Sequence, residues 1–197
     1  MNKIQQYLYT HQDSLSFLLI IFCSGLLCGI LLLNYFNEAE ISKLSIYLTT
    51  LPSANIDKQS FFASQVFINS IFLIAIVFLG FALFAIPLIA FIMFTKGIQI
   101  GFSCAMYYYM YEINGILSIV LTLIPQVILD LIAFAIVASV AIETSILLIN
   151  STLQNEAFPY SHIFNKVLTD LLIGLILLLV SNFIKSTILI QTSTLFM

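Results

Sequence analysis

The feature that most constrains this chain is a run of thirty residues, Gln65 to Phe94, without a single charged side chain. As a helix it would reach about 45 Å, against a hydrocarbon core of about 30 Å. Backbone polar groups in lipid must bond one another, so such a run enters a membrane as helix. Other runs repeat the pattern. Leu15 to Leu33 is uncharged and long enough to cross, and Val167 to Ile184, with Asp170 as its one charged residue, is long enough as well. Only 8% of the residues are charged and 61% are hydrophobic, with a mean hydropathy of +1.13. A soluble domain carries about 25% charged residues. These values exclude a water-soluble globule, a disordered tail and a basic nucleic-acid binder. The net charge is −3 and no arginine is present, so bidentate guanidinium grips on phosphate are absent. Cys23, Cys28 and Cys104 lie in apolar runs, read as small packing residues and not as a disulfide framework.

The expected fold is all-α, a polytopic transmembrane helical bundle of about five spans. Residues 1–14 precede span 1 at 15–34, which starts after Asp13-Ser14 and is read as an uncleaved anchor. Residues 35–64 form the one long polar stretch. Within it Ile41, Leu44, Leu48 and Leu51 step by three and four, the spacing of one helix face, and Pro52 closes the segment. A helix lying on the membrane surface is expected there, suited to docking a partner. Span 2 is placed at 65–94 with Pro87 as its kink, and span 3 at 96–112 after the Thr95-Lys96-Gly97 interruption. Lys96 is expected at this junction, snorkelling to water. Span 3 ends in Tyr107, Tyr108, Tyr109 and Tyr111, an interfacial belt, and Asn114-Gly115 turns the chain. Residues 115–149 make a fourth span divided by Pro125, whose first part reads either as a half-helix or as the top of one kinked helix. A polar loop at 150–166, span 5 at 167–185 and a tail at 186–197 complete the chain.

Polar groups inside apolar runs are the candidates for function. Asp130 lies four residues after Gln126, on the same helix face just past the Pro125 break. The trio Pro125, Gln126 and Asp130 reads either as an ion or proton site or as a polar knot that satisfies the kink, with Asp130 protonated or paired with Lys96. Glu143 and Asp170 are expected near a membrane surface. The pairs Gly25/Gly29 and Gly97/Gly101 are four apart and allow helix backbones to touch, within one chain or between two copies of it. No His-Glu-x-x-His motif, nucleotide-binding glycine loop or serine–base arrangement is present, so no cofactor or metal is expected and enzyme is the least supported class.

Several of these residues, taken in order, carry a resemblance. Gly25, Gly29 and Asn34 close span 1, Lys43-Leu44 to Tyr47-Leu48 follow, and then come Phe61-Phe62, Asn69, Gly80 and Ile86-Pro87-Leu88. Phe94-Thr95-Lys96-Gly97-Ile98-Gln99-Ile100-Gly101-Phe102 is the strongest element, with Asn114-Gly115 and Ile124-Pro125-Gln126 downstream. Together they resemble the stage II sporulation protein M family, and Gln126 after the proline resembles its bacterial type. The resemblance covers nearly the whole chain. It implies a multi-pass protein of the cytoplasmic membrane with its N-terminus inside, residues 35–64 outside and residues 150–166 inside. It also implies a non-catalytic anchor that holds a peptidoglycan-hydrolase complex at the septum during engulfment. The stage II sporulation proteins D and P are the implied partners, beside the lipid bilayer. The alternative is a permease-like subunit of a transporter energised by a separate ATPase.

Overall fold

The computed structural model describes residues 11–37, 39–43, 58–154 and 160–195. Among them there is no strand, and five helices carry an apolar stretch long enough to cross a membrane. Helix α1 is Gln12–Leu32, followed by a 3-10 turn at Leu33–Tyr35. Helix α2 is Lys58–Gly80, α3 is Ala85–Ser118, α4 is Ile124–Gln154 and α5 is Tyr160–Leu195. Helix α1 begins at Gln12, so Asp13 falls in its first turn, where a negative charge meets the positive end of the helix dipole.

The largest departure from the sequence reading lies between the second and third spans. The chain turns at residues 81–84, inside the run assigned to span 2, and not at Thr95-Lys96-Gly97. Spans 65–94 and 96–112 are therefore replaced by α2 and α3. Pro87 is no kink: it sits in the first turn of α3, where its missing N–H would have had no helical partner anyway. Phe81 N–H donates to the Phe78 carbonyl at 3.2 Å and Ala82 N–H to Leu79 at 2.8 Å. The Ala82 carbonyl in turn accepts the Ser145 hydroxyl of α4 at 2.9 Å. Turn backbone that water would ordinarily satisfy is bonded within the protein. Lys96 consequently lies well inside α3, not at a span junction.

At the proline-broken fourth span the structure decides between the two readings and moves the turn that precedes it. The reversal after the tyrosines falls on Glu112, whose φ of 50° is the one positive value at a non-glycine residue among those described. Gly115 then packs so closely on Tyr107 and Tyr108 that an added Cβ would overlap the Tyr107 carbonyl. Residues Ile119–Leu123 form a π segment leading straight into α4. Pro125 sits just past it, because the wider π turn makes room where the ring would meet the carbonyl four residues back. The division is a π segment within one helical path, not a separate half-helix ending at the proline. Helix α5 also outruns its expected bounds at both ends, and the tail expected at 186–197 is helical as far as Leu195.

Helix α4 is the centre of the bundle. Its apolar window is 61% buried, against 17–33% for the other four, and all four pack on it. Small residues make this possible: Ala133, Ala138, Ser139, Ala141 and Ser145 are all buried along it. Gly80 of α2 approaches until an added Cβ would stand 2.9 Å from the Ala141 Cβ. Leu73, Ile76, Ile89, Met93, Val137 and Leu178 fill the space between helices. Helices α1, α3 and α5 run one way and α2 and α4 the other, so the start of α1, the 81–84 turn, the end of α4 and the start of α5 share one end. There His11 pairs with Glu143, and Lys166 Nζ approaches the same carboxylate at 3.3 Å. Asp170 is buried beside them.

Candidate functional site: a polar layer across four helices

Four helices bring uncharged and charged polar side chains into one layer of the bundle. Lys96 Nζ of α3 donates to Asn69 Oδ1 of α2 at 2.7 Å. Its ammonium also lies over two rings, 4.5 Å from the Phe72 centroid and 4.9 Å from that of Phe134, a cation–π setting. Asn69 Nδ2 donates to Asn182 Oδ1 of α5 at 3.2 Å, and Asn182 Nδ2 to the Leu178 carbonyl at 2.9 Å. About one turn nearer the other end of the bundle, Lys185 Nζ donates to Gln65 Oε1 at 2.9 Å. The Phe62 and Phe183 rings meet edge to face beside them, 6.5 Å apart.

Helix α4 adds Gln126 and Asp130. The Ser181 hydroxyl has one hydrogen and two acceptors in reach, the Gln126 backbone carbonyl at 3.0 Å and the Asp130 carboxylate. Asp130 interacts electrostatically with both Lys96 and Lys185, and its Oδ1 is buried with no hydrogen-bond partner. Of the sequence trio, Gln126 is buried and Asp130 half-buried in the layer, whereas Pro125 is exposed. It is the Gln126 backbone oxygen, not its side chain, that the described bond uses.

Sequence reading missed Gln65, Asn69, Ser181, Asn182 and Lys185. The signal was present: Gln65/Asn69, Gln126/Asp130 and Ser181/Lys185 are all polar pairs four residues apart in apolar runs, and only the middle one was read. Polar residues at that spacing in a span share a face and therefore need partners on another helix.

The glycine pairs lie elsewhere, on another face of α3. Gly25 and Gly29 of α1 face Gly97 and Gly101 of α3 in a parallel crossing within one chain. An added Cβ would overlap a carbonyl oxygen at each: Phe94 for Gly25, Ile98 for Gly29, Phe22 for Gly97 and Leu26 for Gly101. Cys23 and Cys28, read as packing residues, are exposed on α1. Leu44, Leu48 and Leu51 of the expected surface helix lie outside the described residues. The start of that segment is helical at 39–43, with Asn37 N–H held by the Glu40 carboxylate at 3.1 Å and Ile41 buried. Among the described residues no three His, Cys, Asp or Glu side chains come together as metal ligands.

Residues 18–188 match the family model described as Stage II sporulation protein M. The chain belongs to that family. The match takes in all five apolar helices, the glycine seam and the polar layer, which makes this a sporulation-related membrane protein by membership. No curated protein and no solved structure matches the chain.

Proposed function

We propose that the protein is a non-catalytic anchor in the cell membrane, which localises a peptidoglycan-hydrolase complex at the septum during engulfment. The observation that carries this reading is the family match over residues 18–188. The bundle suits the role, because its polar interior is largely committed to bonds between helices. Partner contact then falls to the segment between α1 and α2, with the stage II sporulation proteins D and P as the partners by family. Placing that segment outside requires the N-terminus inside. Lysine counts do not decide orientation: with Lys96 and Lys185 both inside spans, Lys3 and Lys166 at one end stand against Lys43 and Lys58 at the other.

One observation favours a second reading, a permease-like subunit energised by a separate ATPase. Charged groups at membrane depth are expensive and usually serve transport, and Asp130, Lys96 and Lys185 are such groups. The two readings separate in one comparison. Replacing Leu44, Leu48 and Leu51 together with Ser removes the apolar face of the expected surface helix. In the anchor reading this variant loses co-purifying hydrolases at equal membrane abundance, whereas Asp130→Asn retains them. If Asp130→Asn abolishes function with recruitment intact and the triple variant is silent, transport replaces anchoring.

A further inference from the structure

The ionisable groups of the polar layer do not balance. Two lysines, Lys96 and Lys185, share one carboxylate, Asp130, and the three act on one another electrostatically. The ion pairs described for the chain involve His11, Lys166 and Glu143 at the other end, so neither lysine closes a direct pair with Asp130. Gln65, Asn69, Gln126, Ser181 and Asn182 are neutral. With all three groups ionised, one positive charge is left without a counter-charge in a medium that screens poorly.

The two ammonium groups are not equivalent. Lys96 is enclosed by Asn69 Oδ1 and by the faces of Phe72 and Phe134. A single described bond, to Gln65 Oε1, serves the three N–H groups of Lys185. Lys185 also stands two residues before Thr187, the last residue of the apolar stretch of α5. We propose that the layer binds one monovalent anion at Lys185, with Asp130 supplying the counter-charge for the second lysine. The chemistry required is a single negative charge on hydrogen-bond-accepting atoms. A halide or a monoanionic oxyanion from solution meets it, and so does the phosphate of an anionic lipid headgroup. This site is independent of partner recruitment, since it needs only the purified chain.

The test is thermal unfolding of the full chain, which an anion binding only the folded state must raise. In neutral detergent at low buffer concentration, the midpoint is followed as chloride is added, with gluconate at equal ionic strength as the control for screening, its long polyhydroxy chain being too bulky to enter between packed helices. In nanodiscs with gluconate, phosphatidylcholine is compared with phosphatidylcholine containing phosphatidylglycerol. A rise of about 5 °C at saturation is expected in at least one arm. A rise with chloride identifies a solute anion, and a rise with phosphatidylglycerol alone identifies the headgroup. Lys185→Met balances the layer and should abolish the response, while Asp130→Asn leaves two surplus charges and should lower the half-saturating concentration severalfold. If Lys185→Met does not accumulate, Lys185→Gln removes the charge and keeps a donor. No response in either arm overturns the site. So does an equal response in the Lys185 variants, or an unchanged half-saturation in Asp130→Asn.

Discussion

Between α1 and α3 the helices meet backbone to backbone over Gly25, Gly29, Gly97 and Gly101. Between α2 and α5 they meet through side chains that reach across, Asn69 to Asn182 and Gln65 to Lys185. Lipid supplies no hydrophobic drive for either contact, so each needs its own source of attraction. The first relies on dispersion at the shortest approach, and bulk defeats it. The second relies on hydrogen bonds that water cannot replace, and loss of a partner defeats it. Helix α3 takes part in both modes through consecutive residues. Gly97 faces α1, while Lys96, one helical step of about 100° away, faces α2 and α4. A single helix thus has a face that tolerates no added atom and another that tolerates no lost one.

The contrast can be broken by ranking substitutions. Gly101→Leu should have the largest effect, because the added side chain meets the Leu26 backbone and not a flexible neighbour. Overpacking typically costs about 1–3 kcal/mol, and rigid backbone places this site at the upper end. Membrane accumulation in cells is the readout, and wild-type levels would mean the seam opens freely. Lys96→Met should follow at about 1–3 kcal/mol, since Asn69 Oδ1 loses its donor inside the bundle. A detergent-unfolding midpoint measures it. Asn182→Leu removes one hydrogen bond between α2 and α5, an effect of about 0.6 kcal/mol and at most about 1.7. Should it equal Gly101→Leu on the same unfolding curve, the two contacts do not differ in kind. Lys166→Ala is the smallest, roughly 0.5 kcal/mol or less. Its pair with Glu143 is partly exposed, so the loss should shrink further as salt is added.

How much of this was legible depends on what competes with the local signal. The all-helical, multi-span class follows from the length and hydropathy of the apolar runs, which leave no alternative in lipid. The boundary between α2 and α3 was not legible. Phe81, Ala82, Leu83 and Phe84 are as apolar as any span, so no polar residue marks the turn. Thr95-Lys96-Gly97 looks like a loop, yet Lys96 bonds to Asn69 on another helix and the glycine serves close packing. In both places tertiary contacts override the local pattern. At the candidate site, the spacing of Gln126 and Asp130 placed both on one face. Lys96 was already a candidate partner for Asp130, but that Ser181 and Lys185 would meet them there depends on how α5 leans on α4, which no local window contains.

The short apolar turn at 81–84 bears on how the protein is made. From Gln59 to Thr95 the chain carries no charged residue, so nothing beside the turn tells an insertion machine which side it belongs on. A solitary helix can be oriented by the basic residues flanking it, but α2 and α3 share a connection that lacks them. They must pass into the bilayer as a hairpin, with one decision taken for both. That decision falls to the basic residue at the far end of the pair, Lys58 before α2, and α3 can dock on the waiting glycines of α1 only once the hairpin has turned.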